Sequence, residues 1–257
     1  MTIISLSQKD TEWLAAAVIG LYAAYSSKYR LFQKEFVMEP FVSLSDSSIF
    51  GYELLNRSIV RHKKQWEWSI WNQFLLHHIE VQLQKEKPFY YAINLNTDQI
   101  LNPQIISVIT PYLNQYVIIE WTETKNSVLK HLWDIQNTHT LERASLVLRS
   151  LRKAYGVRIA IDDAGSRGGD MDSLARLYLT SPDYVKIDGE LFQRAALHPN
   201  LAKICIRICD VARDIGAQSI VEWVETEKDL LFAKKLGADM GQGYYWKSLN
   251  RYSKSLD

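Results

Sequence analysis

Short apolar runs that alternate with longer helical patterns constrain the fold of this chain more than any other feature of its sequence. The helical patterns, such as residues 65–84 and 141–156, carry apolar residues at three- and four-residue steps. The apolar runs have the length and composition of strands: Phe36–Leu44, Ile49–Leu54, Phe89–Leu95, Tyr116–Trp121, Val157–Ile161, Tyr184–Ile187, Ser219–Trp223 and Gly241–Trp246. Such alternation predicts a largely parallel sheet covered by helices.

The number of strands narrows the fold class further. Eight strands in 257 residues is the proportion of a closed (β/α)8 barrel of the TIM type. An open doubly wound sheet is the alternative, although no G-x-G-x-x-G turn follows any early strand. Because 47% of the residues are hydrophobic, the chain can bury one core of this size. We therefore expect an α/β fold with a TIM-like barrel.

Charge and cysteine usage restrict the partners and the compartment. Thirty basic and 29 acidic side chains leave a net charge of +1, which offers no general attraction for a nucleic-acid polymer or an anionic membrane. Cys205 and Cys209 lie four apart in a helical pattern, so they share one face as small apolar residues, with a disulfide as the weaker alternative. This usage favours a reducing cytoplasm.

The N-terminal region contains one long uncharged run, Trp13–Tyr25. Its thirteen residues are too few to span a bilayer unaided. Asp10 and Glu12 precede it, whereas a secretory signal begins with basic residues. We expect residues 1–30 to form a helical segment packed on a barrel of residues 31–257. A signal peptide or membrane anchor is the alternative.

Polar side chains occur where almost every predicted strand ends. They are Glu53, Asn94, Glu120, Asp162, Asp163, Lys186, Glu222 and Gln242. Any one of them is explained by solvation or by turn chemistry. In a barrel, however, the C-terminal ends of the strands meet at one mouth, where active sites are built. The set together predicts a functional cluster.

The chemistry of this cluster indicates a metal site. Carboxylates and an amide, without histidine or cysteine, suit Mg²⁺ or Mn²⁺ better than Zn²⁺. Asp162 and Asp163 are adjacent like charges, which are costly to ionise together unless a cation lies between them. Carboxylates and a lysine in one mouth fit hydrolysis of a phosphodiester by two cations about 3.5–4 Å apart.

The same residues lie in motifs that resemble the EAL-domain family of bacterial cyclic-di-GMP phosphodiesterases. The resemblance runs in order from Phe36 to Leu249. "YELLNR" resembles E-x-L-x-R, "INLN" resembles N-L-S, and "IEWTET" resembles E-x-T-E. "DDAG" is similar to D-D-F-G, "VKID" to K-I-D, "VEWVET" to E-G-V-E-T, and "QGYYWKSL" to Q-G-Y-x-x-x-K-P-L.

The resemblance implies a role for each matching residue. The implied metal ligands are Glu53, Asn94, Glu120, Asp162 and Asp163. Lys186 and Asp163 are implied to position or activate the nucleophilic water, and Glu222 and Gln242 to complete the catalytic site. The implied substrate contacts are Arg57, at a phosphate, and Asp188, while Glu123 steadies the loop after the aspartate strand.

The family also implies a fold and a reaction. The fold is a modified (β/α)8 barrel with one antiparallel strand, commonly found as a homodimer. The reaction is the opening of cyclic-di-GMP to linear pGpG, and it uses two divalent cations, Mg²⁺ or Mn²⁺. The resemblance implies that it takes place in the cytoplasm. The alternative is an inactive member that binds cyclic-di-GMP or a regulatory protein partner as a receptor.

Some positions depart from the family pattern. Ala164 replaces the phenylalanine of D-D-F-G, and the loop Gly165–Leu174 contains three additional residues. Trp223 replaces the glycine of E-G-V-E-T and adds a large side chain beside Glu222. Smaller departures are Glu39–Pro40 for Q-P and Ser248 for proline. The longer loop and the tryptophan are the features that favour the receptor alternative.

Overall fold

The computed structural model describes residues 36–56, 89–122, 135–166 and 171–249. The predicted helices at Trp13–Tyr25 and at residues 65–84 lie outside these ranges. The proposed division at residue 30 therefore stays a prediction.

The chain divides into two compact units. One unit consists of Met38–Leu55 and Lys63–Asp257 and contains nearly all described residues. The other consists of Met1–Val37 and Asn56–His62 and lies almost wholly outside the described residues.

Eight strands, each hydrogen-bonded to the next in sequence order, close into a barrel. They are β1 (Phe36–Ser43), β2 (Ile49–Asn56), β3 (Tyr90–Asn96), β4 (Val117–Thr122), β5 (Arg158–Ala164), β6 (Tyr184–Ile187), β7 (Gln218–Val221) and β8 (Met240–Gly241). Strands β2 to β8 run parallel. Strand β1 pairs antiparallel with β8. The predicted barrel with one reversed strand is confirmed, and the open sheet is excluded.

Helices cover the barrel. Those within the described residues are α1 (Thr97–Ile100), α2 (Pro103–Ile109), α3 (Ile135–Tyr155), α4 (Met171–Thr180), α5 (Gly189–Ala195), α6 (Pro199–Asp214), α7 (Glu227–Leu236) and α8 (Tyr244–Leu249), with a 3-10 turn at Thr110–Tyr112. Helix α3 confirms the helical pattern at residues 141–156. On α6, Cys205 and Cys209 are buried, free thiols, as their spacing predicts. None of the helices in these ranges is long and apolar enough to cross a membrane.

The predicted strand Gly241–Trp246 is wrong in its extent. Strand β8 ends at Gly241, and helix α8 begins at Tyr244. Between them Gly243, at φ 151°, lies so close to the backbone of Val224 that a Cβ would be 2.4 Å from its carbonyl oxygen. The turn brings Trp246 back over Gly241, where the indole is buried in the core. The aromatic run therefore belongs to a helix that caps the barrel.

One layer of buried apolar side chains lies in the interior, with one residue from each strand except β2, whose partly buried Phe50 packs against it. The layer consists of Phe41, Ala92, Ile118, Ala160, Tyr184, Ile220 and Met240. Because side chains alternate between the two faces of a strand, the residue two positions away along each strand also points into the barrel. This alternation decides which side chains reach the mouth.

Candidate active site

The polar residues predicted at the strand ends enter the mouth because they follow the apolar layer at the strand period. On six strands they lie two positions beyond it: Asn94, Glu120, Asp162, Lys186, Glu222 and Gln242. Glu53 comes from β2 and joins the same group. The structure thus brings together the predicted residues of seven strands.

Lys186 lies at the centre of the cluster and is only 1% exposed. Its Nζ donates hydrogen bonds to Glu53 Oε2 at 3.0 Å and to Glu120 Oε2 at 2.8 Å. It also forms ion pairs with Asp162 Oδ1 at 3.1 Å and Glu222 Oε1 at 2.8 Å. One ammonium group therefore holds four carboxylates from four different strands.

Glu53 is the most firmly held of these carboxylates. Asn94 Nδ2 donates to Glu53 Oε1 at 2.6 Å, and Gln242 Nε2 donates to Glu53 Oε2 at 2.6 Å. Burial acts to raise the pKa of Glu53, but the charge of Lys186 and these hydrogen bonds outweigh it, so that the pKa lies below its ordinary value. Glu53 is a fixed anion in the mouth.

The remaining charges of the mouth are not balanced. Burial and repulsion from Glu53 raise the pKa of Glu120 well above its ordinary value, although Lys186 opposes the rise. Burial raises the pKa of Glu222 to about 8, against the charge of Lys186 and with a further rise caused by Asp162. Burial acts to lower the pKa of Lys186, but the surrounding carboxylates raise it well above its ordinary value. Four carboxyl groups thus face one ammonium, and the raised pKa of two of them shows that their ionisation favours a further cation.

Several buried oxygens of the mouth have no hydrogen-bond partner among the described residues. They are Asn94 Oδ1, Glu120 Oε1, Asp162 Oδ1 and Gln242 Oε1. The short distance from Asp162 Oδ1 to Lys186 Nζ is an ion pair without hydrogen-bond geometry. Buried acceptors without donors are costly, and a bound cation satisfies them. The carboxylate and amide oxygens of the mouth fit a hard divalent cation.

The adjacent aspartates reach the same point because β5 is irregular there. The pairing of β5 with β6 shifts register between Ile161 and Ala164, and Asp163 has a left-handed backbone at φ 57°. Regular alternation would place neighbouring carboxylates on opposite faces of the strand. Instead, carboxylate oxygens of Asp162, Asp163 and Glu222 lie within 4.8 Å of one another. This trio is a candidate cation site at the outer side of the mouth.

The end of β7 differs from its predicted extent. The strand stops at Val221, two residues before the predicted end at Trp223. Trp223 has a left-handed backbone at φ 56°, which few bulky residues adopt. Its side chain, 53% exposed, lies on the rim of the mouth directly after Glu222.

The sequence also predicts Asp188, Arg57 and Glu123 as residues of the site. Asp188 caps α5, because its Oδ1 accepts a hydrogen bond from the Leu191 backbone at 2.8 Å. Burial raises the pKa of Asp188, and this cap opposes the rise. Arg57 and Glu123 lie outside the described residues, so their predicted roles stay predictions.

Two residues of the site were missed by sequence reasoning. Glu39 lies on β1, two positions before the interior Phe41, and Gln242 Nε2 is 3.4 Å from its Oε2. Since β1 is reversed, its mouth end comes first in the sequence, and the polar residue precedes the apolar one. Arg176 on α4 is buried and donates to the carbonyl oxygen of Trp121, next to Glu120. Its place in an apolar helical pattern gave no signal for this contact.

The fold and the site define a TIM-like barrel protein with a reversed first strand and an acidic, lysine-centred mouth. The chain belongs to the EAL-domain family, whose model matches residues 69–248. The match begins beyond β2, so the correspondence of Glu53 rests on its motif and on its contacts with Lys186 and Asn94.

Curated relatives and solved structures agree with this family. An uncharacterized EAL-domain protein of Bacillus subtilis, YkuI, is 33% identical over 93 residues, which are 36% of this chain and 22% of YkuI. Cyclic di-GMP phosphodiesterase PdeB of Shewanella oneidensis is 34% identical over 131 residues, which are 51% of this chain and 14% of PdeB. This chain therefore matches only a small part of these relatives.

A solved structure also has the same fold. It is a standalone EAL protein of Vibrio cholerae O395 in its c-di-GMP-bound form, with a TM-score of 0.60 and 22% identity. The match covers 82% of this chain and 90% of that chain.

Proposed function

We propose that this chain hydrolyses the second messenger cyclic-di-GMP to linear 5′-pGpG. The observation that carries the proposal is the mouth, where four carboxyl groups surround Lys186 beside buried oxygens that have no partner among the described residues. The substrate is supported by family membership and by the relative PdeB, which is named a cyclic di-GMP phosphodiesterase. In the reaction a water oxygen bonds to one phosphorus, the P–O3′ bond breaks, and the 3′ oxygen takes up a proton.

Two divalent cations, Mg²⁺ or Mn²⁺, fit the oxygen ligands of the mouth. The residues that would hold them are Glu53, Asn94, Glu120, Asp162 and Asp163. When bound, such cations lower the pKa of water and stabilise the charge of an in-line displacement. The chain contributes the fixed spacing of the ligands, since each comes from a different strand of the closed barrel or from the irregular end of β5.

Lys186 places a positive charge at the centre of the mouth, where it helps to position or activate the nucleophilic water. It orients Glu53 and Glu120 through hydrogen bonds and offsets the negative charge that grows on the phosphate in the transition state. Asp163, which is less buried than Asp162, accepts a hydrogen bond from the attacking water and aligns it with the phosphorus.

Glu222 and Gln242 complete the catalytic set. Glu222 pairs with Lys186 and lies within reach of both aspartates, so it helps to fix the position of the attacking water. Gln242 donates to Glu53 and holds the direction of that carboxylate. Both follow the last residue of their strands, and their backbone N–H groups donate to the carbonyl oxygens of Ile187 and Val221.

The predicted contacts outside this cluster remain part of the proposal. Arg57 binds a phosphate of the dinucleotide, because a guanidinium group donates two parallel hydrogen bonds to phosphate oxygens. Asp188, on the rim at the end of β6, contacts the substrate. Glu123 steadies the loop that follows Asp163.

The chain is proposed to act as a homodimer in the cytoplasm. The free thiols of Cys205 and Cys209 are consistent with a reducing compartment. Sedimentation of the purified protein with and without cyclic-di-GMP tests the homodimer.

The direct test of the function is turnover by the purified protein. Cyclic-di-GMP is incubated with Mg²⁺ or Mn²⁺ while pGpG is followed by chromatography, and Glu53→Ala serves as the matched control. We expect product from the wild-type chain and none from the variant, with both folded by circular dichroism. Absence of product from the wild-type chain under both metals would overturn the proposal.

A receptor that binds cyclic-di-GMP without hydrolysing it is the second candidate function. The three additional residues of the loop Gly165–Leu174, directly after the candidate ligands, favour it. Calorimetric titration with Ca²⁺ in place of the active metal separates the two functions. Binding without product would select the receptor, and product formation would exclude it.

A further inference from the structure

Trp223 occupies a costly conformation that its own burial does not explain. Its φ of 56° lies in the left-handed region, which glycine adopts freely and bulky residues rarely do. Its side chain remains 53% exposed. A large residue kept in an unfavourable backbone conformation and only half buried is unlike a core side chain.

The indole is nevertheless held in one place. A Cβ added to Gly189 would lie 2.3–2.6 Å from Cγ, Cδ2 and Cδ1 of Trp223, so the ring lies directly on this glycine. The carbonyl oxygen of Trp223 accepts a hydrogen bond from Gln193 Nε2 at 2.8 Å. Helix α5, which carries both partners, thus fixes one side of the ring and leaves the remainder to solvent.

The position of the ring relates it to the acidic mouth. Trp223 directly follows Glu222, whose Oε1 lies 2.8 Å from Lys186 Nζ. Gly189 directly follows Asp188, at the end of β6. The indole therefore packs on the start of α5, which follows β6, and its backbone directly follows Glu222 at the end of β7.

We propose that Trp223 is a stacking platform for one guanine base of cyclic-di-GMP. The inference rests on the proposed function, which places a phosphate of the dinucleotide over the carboxylates and so directs a base toward the rim. A flat aromatic ring fixed on one side and open on the other is suited to stacking on a purine. Trp223 is thus a substrate-binding residue that sets affinity, while the cluster around Lys186 carries the chemistry.

The test compares two substitutions at this position with one elsewhere. Trp223→Gly removes the ring and relieves the left-handed backbone, while Trp223→Phe keeps an aromatic face. Tyr178→Ala, on α4, removes an aromatic side chain that is 88% exposed and lies on neither β6 nor β7. Cyclic-di-GMP binding is measured by calorimetry in Ca²⁺, turnover in Mn²⁺, and Tm for every variant.

We expect Trp223→Gly to weaken cyclic-di-GMP binding about 5- to 100-fold, the usual range for loss of one base–aromatic stack. KM should rise with it while kcat stays within about twofold, because stacking acts in ground and transition states alike. Trp223→Phe should recover most of the affinity, and Tyr178→Ala should bind like the wild type.

Other outcomes overturn the inference. Wild-type affinity in Trp223→Gly excludes a stacking role. Equal losses in the glycine and phenylalanine variants exclude it as well, because an aromatic face would then not matter. If the wild-type chain neither binds nor hydrolyses cyclic-di-GMP, the proposed function and the stacking role both fail. If the wild-type chain is active and Trp223→Gly binds cyclic-di-GMP with the same affinity, only the stacking role fails.

Discussion

The two ends of the barrel interior each hold a cationic side chain, and the two side chains have different kinds of partner. At the mouth, Lys186 Nζ contacts four carboxylates within 3.1 Å. At the opposite end, Arg158 donates to the hydroxyl oxygens of Tyr184 and Tyr90, the latter at 2.7 Å. Its guanidinium carbon also lies 4.3 Å from the centre of the Tyr90 ring. Arg158 has neutral partners, and Lys186 has an excess of anions.

This difference separates a structural end from a functional one. Arg158 and Asp162 lie on the same strand and face the same interior, two steps of alternation apart. Around Arg158, phenolic oxygens accept hydrogen bonds, and burial raises the pKa of Tyr184 to about 12 against the pull of Arg158, so it stays neutral. Around Lys186, several buried oxygens have no donor within the part of the chain that the structure describes. Within the described residues, the excess of carboxyl groups over cations therefore lies at the end that is proposed to bind cations and substrate.

Replacing Asp162 is expected to have the largest effect on activity. Asp162→Asn removes a candidate ligand, so hydrolysis of cyclic-di-GMP should fall at least about 100-fold. The free energy of unfolding in EDTA should stay equal or rise by about 1 kcal/mol, because one repelling charge is removed. Turnover assays and urea unfolding measure the two quantities.

Asp239→Asn, at the opposite end of the barrel from the mouth, is the matched control for Asp162→Asn. Asp239→Asn weakens the acceptor that binds Ser219 N and Oγ at 2.8 and 2.9 Å, near the start of β7. It should lower stability by about 1–2 kcal/mol and leave kcat unchanged. If Asp162→Asn kept wild-type turnover, or if Asp239→Asn lost it, the assignment of the two ends would be wrong.

Replacing the central cation is expected to have the largest effect on stability. Lys186→Met leaves the buried carboxylates without their ammonium and should lower the free energy of unfolding in EDTA by about 3–5 kcal/mol. Turnover should also be lost, because Glu53 and Glu120 lose their shared donor. Urea unfolding followed by circular dichroism measures the change. A variant as stable as the wild type would show that Lys186 does not hold the cluster together.

Adding a divalent cation should stabilise the folded protein by less than Lys186→Met destabilises it. At 100 times its dissociation constant, Mn²⁺ should raise the free energy of unfolding by about 2.7 kcal/mol. For a chain of this size that corresponds to a Tm increase of about 5–10 °C, reversed by EDTA. Calorimetry should show the increase in the wild type and in Asp239→Asn. A similar increase in Asp162→Asn would place the cation elsewhere.

The residues of the parallel strands were predictable from the sequence for a simple reason. The C-terminal ends of parallel strands meet at one mouth, and every second side chain of a strand points into the barrel. Glu120 follows Ile118, and Lys186 follows Tyr184, by this same step. A polar residue that interrupts an apolar run near its end was therefore sufficient to locate the site.

Except for Arg176, the features that sequence reasoning missed depend on departures from this regularity. Glu39 lies on the reversed strand, where the order of polar and apolar residues is inverted. Asp163 and Trp223 have left-handed backbones that no pattern of residue types announces. The helix that begins at Tyr244 was predicted as strand because its aromatic residues continue a short apolar run from Gly241. Each depends on contacts between segments distant in sequence.

Replacing the cation at the end opposite the mouth should lower stability less than replacing Lys186. Arg158→Met leaves the hydroxyl groups of Tyr90 and Tyr184 without their donor and should cost about 1–3 kcal/mol of stability. Because these partners are neutral, no buried charge is left behind, and the loss should be smaller than in Lys186→Met. KM and kcat for cyclic-di-GMP should not change. Arg207→Met, which removes an exposed guanidinium 3.7 Å from Asp210, is the matched control and should stay within about 0.5 kcal/mol of the wild type. A loss in Arg158→Met equal to that in Lys186→Met, measured by the same urea unfolding, would mean that the net charge of the partners does not distinguish the two ends.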